Sequence, residues 1–144
     1  MENLNIRKAT IEDIVELKKL EANCFDERIR ENFSFVLENK NYLYLVAFFN
    51  KNIVAYAGAS ISYEQGELLS ICVDSSYRKQ GLATKILKDL FFILKDIGVL
   101  KIFLEVNKNN TPALNLYKKI GFEFLSERKN YYGKDSAIVM VKKL

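Results

Sequence analysis

Histidine is absent from this 144-residue sequence, and so is tryptophan. Without an imidazole, Ser-His-Asp and Cys-His hydrolases are excluded, as are zinc sites that need a histidine ligand. Proton transfer therefore falls to other side chains. A single proline rules out Pro-rich linkers. Cysteine occurs only at Cys24 and Cys72, too far apart for a CxxC redox pair or a zinc knuckle, so free thiols in a reduced cytoplasmic compartment are expected. No apolar run approaches the ~18 residues of a membrane span, and Met1 to Asn5 hold no basic stretch leading into an apolar one. A soluble, cytoplasmic protein with no membrane attachment is the expectation.

The residues that are present make a globular chain: 49% apolar and 28% charged exclude a disordered or collagen-like one. The length suits one domain, residues 1–144, able to bury about two-thirds of its unfolded surface. The net charge of +4 hides a gradient. Residues 1–72 hold 8 Lys+Arg against 11 Asp+Glu, whereas residues 73–144 hold 14 against 7. An anionic partner belongs to the second half, although lysines that merely solvate a surface give the same sum.

A strand over Leu4–Lys8 precedes a helix with Ile11, Ile14, Val15, Leu17 and Leu20 on one face, Thr10 as N-cap and Asp13 closing a capping box. A short helix is expected over Arg30–Glu38. The β-rich runs Tyr42–Phe49 and Ile53–Ser60, joined by Asn50-Lys51-Asn52, read as a hairpin. Glu67–Asp74 is nearly continuously apolar, as a strand buried on both faces is. It leads into a helix carrying Leu82, Ile86, Leu90, Phe91, Ile93, Leu94 and Ile97, stopped at Gly98. Leu100–Val106 returns as a strand, which makes a crossover unit with parallel strands. Thr111 caps a short helix with Pro112 at its start and Gly121 past its end, and the strands Phe122–Tyr132 and Ala137–Val141 flank Gly133-Lys134-Asp135. The fold class is α/β on one mixed sheet.

The turn into the long helix reads Arg78-Lys79-Gln80-Gly81-Leu82-Ala83. A helix start offers unpaired N–H groups and the positive end of the dipole, and Gly81 leaves room for a phosphate. Six such residues equally make an ordinary helix start with solvated cations. The spacing is neither that of a Walker loop nor that of a dinucleotide fingerprint.

Arg78, Gly81 and Ala83, in the pattern Arg/Gln-x-x-Gly-x-Gly/Ala after a strand, make the stretch Leu69–Phe122 resemble the GNAT superfamily of acyl-CoA-dependent N-acetyltransferases. Leu104-Glu105-Val106, Asn110, Ala113-Leu114-Asn115-Leu116-Tyr117, Ile120-Gly121-Phe122, Arg128-Lys129-Asn130-Tyr131-Tyr132 and Ala137-Ile138-Val139-Met140 resemble the bacterial RimI type, the ribosomal-protein-alanine N-acetyltransferases. The resemblance implies a mostly antiparallel sheet with one splayed parallel pair and flanking helices. It also implies transfer of acetyl from acetyl-CoA to a protein N-terminal amine, most specifically the N-terminal alanine of small-subunit ribosomal protein eighteen, without a metal.

By the same resemblance Glu105 accepts a proton and Tyr117 donates one to the departing CoA thiolate. Glu105 ends an apolar strand, where a carboxylate's proton affinity rises, and the α-amine it serves has an ordinary pKa near ~7.7–8. Outside the family pattern Glu105 reads as a solvated strand end and Tyr117 as core packing. Ile71, Cys72 and Val73 are expected to offer main-chain groups to the pantetheine arm. Lys79, Gln80, Gly81, Leu82, Ala83 and Thr84 are expected on the pyrophosphate beside Arg78, with the Asn110 side chain on the CoA arm. Cys72 is read as packing with its thiol protonated, not as a nucleophile.

Two departures from the family concern the acceptor. Cys24-Phe25 is followed by Asp26-Glu27-Arg28-Ile29-Arg30 where the family has a tryptophan, and Ser70 stands where asparagine is common. Acidic residues of the first half (Glu21, Asp26, Glu27, Glu31) are candidates to attract a basic peptide. Two other functions fit parts of the pattern: acetylation of a lysine side chain, polyamine or other small amine, and a basic nucleic-acid-binding module. Against the last, no aromatic residues interleave with the lysines as an RNA-binding motif has them.

Overall fold

The computed structural model describes residues 3–25, 30–132 and 135–144. The elements are strand β1 (Leu4–Lys8), helices α1 (Ile14–Ala22) and α2 (Phe33–Val36), strands β2 (Tyr42–Phe49), β3 (Asn52–Ser62) and β4 (Gln65–Val73), helix α3 (Leu82–Asp96), β5 (Lys101–Asn107), α4 (Thr111–Lys119), β6 (Glu123–Tyr132) and β7 (Asp135–Lys143). The strands form one sheet in the order β1-β2-β3-β4-β5-β7-β6. Among the described strands only β4 and β5 run parallel. This is the mostly antiparallel mixed sheet expected.

Local chemistry explains the differences in the first third. Ile11–Asp13 form a 3₁₀ turn, whose three residues per turn shift the apolar stripe out of phase with α1. Ile11 and Val15, expected inside, are consequently 53% and 66% exposed, while Leu17 and Leu20 are buried. Asp13 accepts from Thr10 N at 2.8 Å and from both terminal nitrogens of Arg7 at 2.8 and 2.9 Å. The second helix is cut to Phe33–Val36 because the Glu31 N–H is drawn out of line to Glu21 Oε2 at 2.6 Å, and Asn32 becomes the cap. Glu21 is 2% exposed, so it ties α1 to the next segment and does not attract a peptide from the surface. Asp26 and Glu27 lie outside the described residues, as do Gly133 and Lys134 of the last turn.

Alternating strand residues build two cores. One lies under α3: Leu43, Leu45, Ala57, Leu68, Ile102 and Leu104 meet Ile86, Leu87, Leu90 and Leu94. The other lies under α1 and α2, where Leu17, Leu20 and Phe33 meet Tyr44, Val46, Tyr56 and Cys72. Gly58, in the middle of β3, is opposite Tyr44 on β2 and Ser70 on β4.

The strand expected to be buried on both faces is only partly so, because β4 and β5 pair over Gln65↔Lys101, Gly66↔Ile102 and Glu67↔Phe103 and then part. A bulge lies just beyond, with Ala59 opposite Leu68 and Gly58 opposite Ser70, leaving Leu69 unpaired. Cys72 thereby faces α1. The expected protonated thiol is corrected here: Cys24 and Cys72 form a disulfide, their Cα atoms 5.9 Å apart. Sequence distance hid the pairing, because only the packing of α1 over the second core sets the end of that helix against β4.

Candidate active site

Past Glu67 the β5 side of β4 carries no ladder bond, so main-chain groups of the segment containing Ile71, Cys72 and Val73 stand at an open edge. The Val73 carbonyl accepts from Arg78 Nε at 3.0 Å, which fastens the following turn to the strand end. In that turn Lys79 holds φ at 62° and Gly81 at 80°. A Cβ at Gly81 would meet nothing within 4 Å, so glycine is needed there for its left-handed backbone. Gly81 is the N-cap of α3 and offers no side chain, leaving the first-turn N–H groups of Leu82, Ala83 and Thr84 without a side-chain cap. Gln80 donates to the Ser76 carbonyl at 3.4 Å. The turn thus combines a helix dipole, Lys79 and Arg78 at one end of the open edge.

Asn110, expected to reach the CoA arm, is the N-cap of α4 in place of Thr111, its Oδ1 accepting from Ala113 N at 3.2 Å. Proline at the helix start and the cap fix the direction of α4. One amide oxygen is thereby committed, which leaves Nδ2 as the side-chain atom for a ligand. Tyr117, on the same helix, packs against the α3 core with its ring 5.8 Å from that of Phe122. Burial pushes its phenol above the ordinary value, so it holds its proton.

Glu105 lies on the other face of β5. Its neighbours Leu104 and Val106 belong to the α3 core, whereas Glu105 opens into a cavity of about 280 Å³ with Ser60, Ser62, Glu67 and Phe103. Glu105 Oε1 accepts from Arg128 Nη1 at 2.5 Å, and Oε2 is buried with no hydrogen-bond partner. Burial and, second, the facing Glu105 push the Glu67 carboxyl above the ordinary carboxylate value. Glu105 and Tyr117 therefore lie toward opposite faces of the sheet. Glu67 was not singled out from the sequence. Its signal is the parallel register, which sets Glu67 beside Phe103, two residues from Glu105. Among the described residues no group of three or more His, Cys, Asp and Glu side chains could hold a metal.

An open parallel strand pair running into a glycine-capped helix is the arrangement that the resemblance to the N-acetyltransferases implies. The family model described as Acetyltransferase (GNAT) family matches residues 11–122, and the chain belongs to that family. The [ribosomal protein bS18]-alanine N-acetyltransferase of Escherichia coli (strain K12) is 33% identical over 107 residues, 72% of each chain. The crystal structure of the ribosomal-protein-S18-alanine N-acetyltransferase from Escherichia coli has a TM-score of 0.85 at 26% identity, covering 97% of this chain and 93% of that one. A GNAT family acetyltransferase from Elizabethkingia anophelis, solved with acetyl-CoA bound, shares the fold at a TM-score of 0.83 and 20% identity over the whole of both chains.

Proposed function

We propose that this acetyltransferase moves the acetyl group of acetyl-CoA to a protein N-terminal α-amine, with the N-terminal alanine of ribosomal protein bS18 as acceptor. The observation that carries the reading is the open β4–β5 strand pair leading into the glycine-capped α3, with the Glu105 carboxylate in a cavity on one face of the sheet. The E. coli relative's activity supports the choice of acceptor. The co-substrate fits the residues present: unpartnered main chain on β4 suits the amides of a pantetheine arm, and Lys79 with the uncapped start of α3 suits a pyrophosphate.

Glu105 takes one proton from the incoming α-ammonium, and the neutral nitrogen forms a bond to the thioester carbonyl carbon. Backbone N–H groups along β4 stabilise the charge that develops on the carbonyl oxygen. As the carbon–sulfur bond breaks, Tyr117 gives its phenolic proton to the sulfur. The second proton lost by nitrogen restores the phenol through water, and Glu105 releases its own to solvent. Transfer is direct, and Cys72 takes no part because its side chain is buried in the core under α1 and α2. We place the reaction in the cytoplasm; there the thiol pool favours reduced cysteines, so the redox state of this pair in cells tests the placement.

The deciding experiment is acetyl-CoA turnover against peptides that differ in the first residue, with mass spectrometry locating the acetyl group. Acetyl on the α-amine of peptides beginning with alanine is expected. Acetyl on lysine in a peptide whose α-amine is blocked, with none on free N-termini, sinks the reading.

A further inference from the structure

The Arg128 motif on β6 has no part in the reaction as written, yet its guanidinium touches the residue that does. The register shows how. Glu105 is opposite Val139 and Asn107 is opposite Ala137 across β5 and β7, while Arg128 is opposite Ala137 across β6 and β7. Arg128 therefore starts two strands away and two residues off, on the same face as Glu105, and crosses the β7 row of Ala137 and Val139 to reach Oε1. Ala137 at that crossing has the smallest side chain that still keeps the strand regular.

We propose that Arg128 is the positioning residue of Glu105, holding the carboxylate through Oε1 in one rotamer at the cavity wall, where it meets the acceptor amine. This rests on the reading of Glu105 as the base. Three observations combine. The bond is a short charge-assisted one, the class that fixes geometry best. Glu105 is 24% exposed at its side chain and Arg128 51%, so the cation stays hydrated while the anion is held in the cavity wall. Glu67 faces the same cavity from β4 and repels Glu105, and a cation on the β6 side offsets that repulsion. Without Arg128 the carboxylate is free to turn away from Glu67, which removes the positioned base without removing the residue.

A double-mutant cycle separates positioning from other roles, using the alanine peptide or whichever amine the wild type acetylates. Arg128→Gln is expected to lower kcat about tenfold, the worth of one charge-assisted bond, with KM for acetyl-CoA unchanged. Arg128→Lys should recover part of the loss, since it keeps the charge and not the planar fork. Glu105→Gln should lower kcat by about a hundredfold or more. The pair Glu105→Gln with Arg128→Gln should be no slower than Glu105→Gln alone, because nothing is left to position. Additive losses in the double variant overturn the inference, as does full activity in Arg128→Gln or a raised acceptor KM at unchanged kcat. An intact rate in Glu105→Gln sinks the base assignment itself, and the inference with it. Thermal melting of each variant separates a lost contact from a lost fold.

Discussion

Tyr44 occupies the place where residue 58 would carry a side chain: a Cβ built on Gly58 would lie 2.1 Å from Cε2 and 2.2 Å from Cζ of the phenol ring. The ring of Tyr44 thus crosses β3 from β2 toward Ser70 on β4, stacked beside Tyr56 and capped edge-on by Phe33. Gly58→Ala must push a buried ring out of this stack, and overpacking of this kind costs about 1–3 kcal/mol. Urea unfolding should show a lower midpoint at an unchanged slope. Equal midpoints would mean that the ring turns aside freely.

Turnover should divide between the two proposed proton carriers without loss of cofactor binding. Tyr117→Phe keeps the ring against Phe122 and removes only the hydroxyl, so its effect falls on kcat, by about a hundredfold. Calorimetric binding of acetyl-CoA should be unchanged. Full turnover in this variant removes Tyr117 from the mechanism.

Stability in acid should depend on Asp13. The paired hydrogen bonds from Arg7 hold its carboxyl below the ordinary range, against the effect of burial, and the Thr10 N–H lowers it further. A carboxylate with a depressed folded pKa stabilises above its unfolded value, about 3.9, and loses that contribution as pH falls through the folded value. Asp13→Asn should therefore cost about 1–2 kcal/mol at pH 7, discounted because Arg7 is half exposed, and the gap to wild type should close toward pH 2. A gap independent of pH would show that the charge is not what matters.

Reduction should loosen the link between α1 and β4. The Cys24–Cys72 bond closes a loop with a sequence separation of 48, worth about 2–4 kcal/mol in the chain-entropy account. A reductant should lower the urea midpoint of the wild type and leave that of Cys24→Ser unchanged. Identical wild-type midpoints with and without reductant, with alkylation proving the bond broken, would contradict this.

How much could be read beforehand follows from the range of the interactions involved. Helix α3 was legible to within a residue because its stripe from Leu82 to Leu94 and its glycines at 81 and 98 are local signals. The start of α1 was misread because a 3₁₀ turn uses the same residues at a different period. The turn Arg78–Thr84 stood out by its glycine and charge, and Glu105 and Tyr117 by a family pattern. What could not be seen joins residues through the sheet: the disulfide and the reach of Arg128 over β7. These depend on register, and register is settled only when all seven strands are in place.

The unpaired Leu69 acts by its presence in the count of residues more than by its side chain. Ahead of it Leu68 lies in the α3 core; behind it Ile71 and Val73 pack toward that same core, while Cys72 faces α1. A strict two-residue period could not place Leu68 and the odd-numbered pair on one side. One extra residue resets the parity of β4, so a single strand shows its even members to one layer before the bulge and to the other layer after it. Position 69 should therefore accept many substitutions but no deletion, since losing it would turn Cys72 away from Cys24 and exchange the two linings of the gap at once.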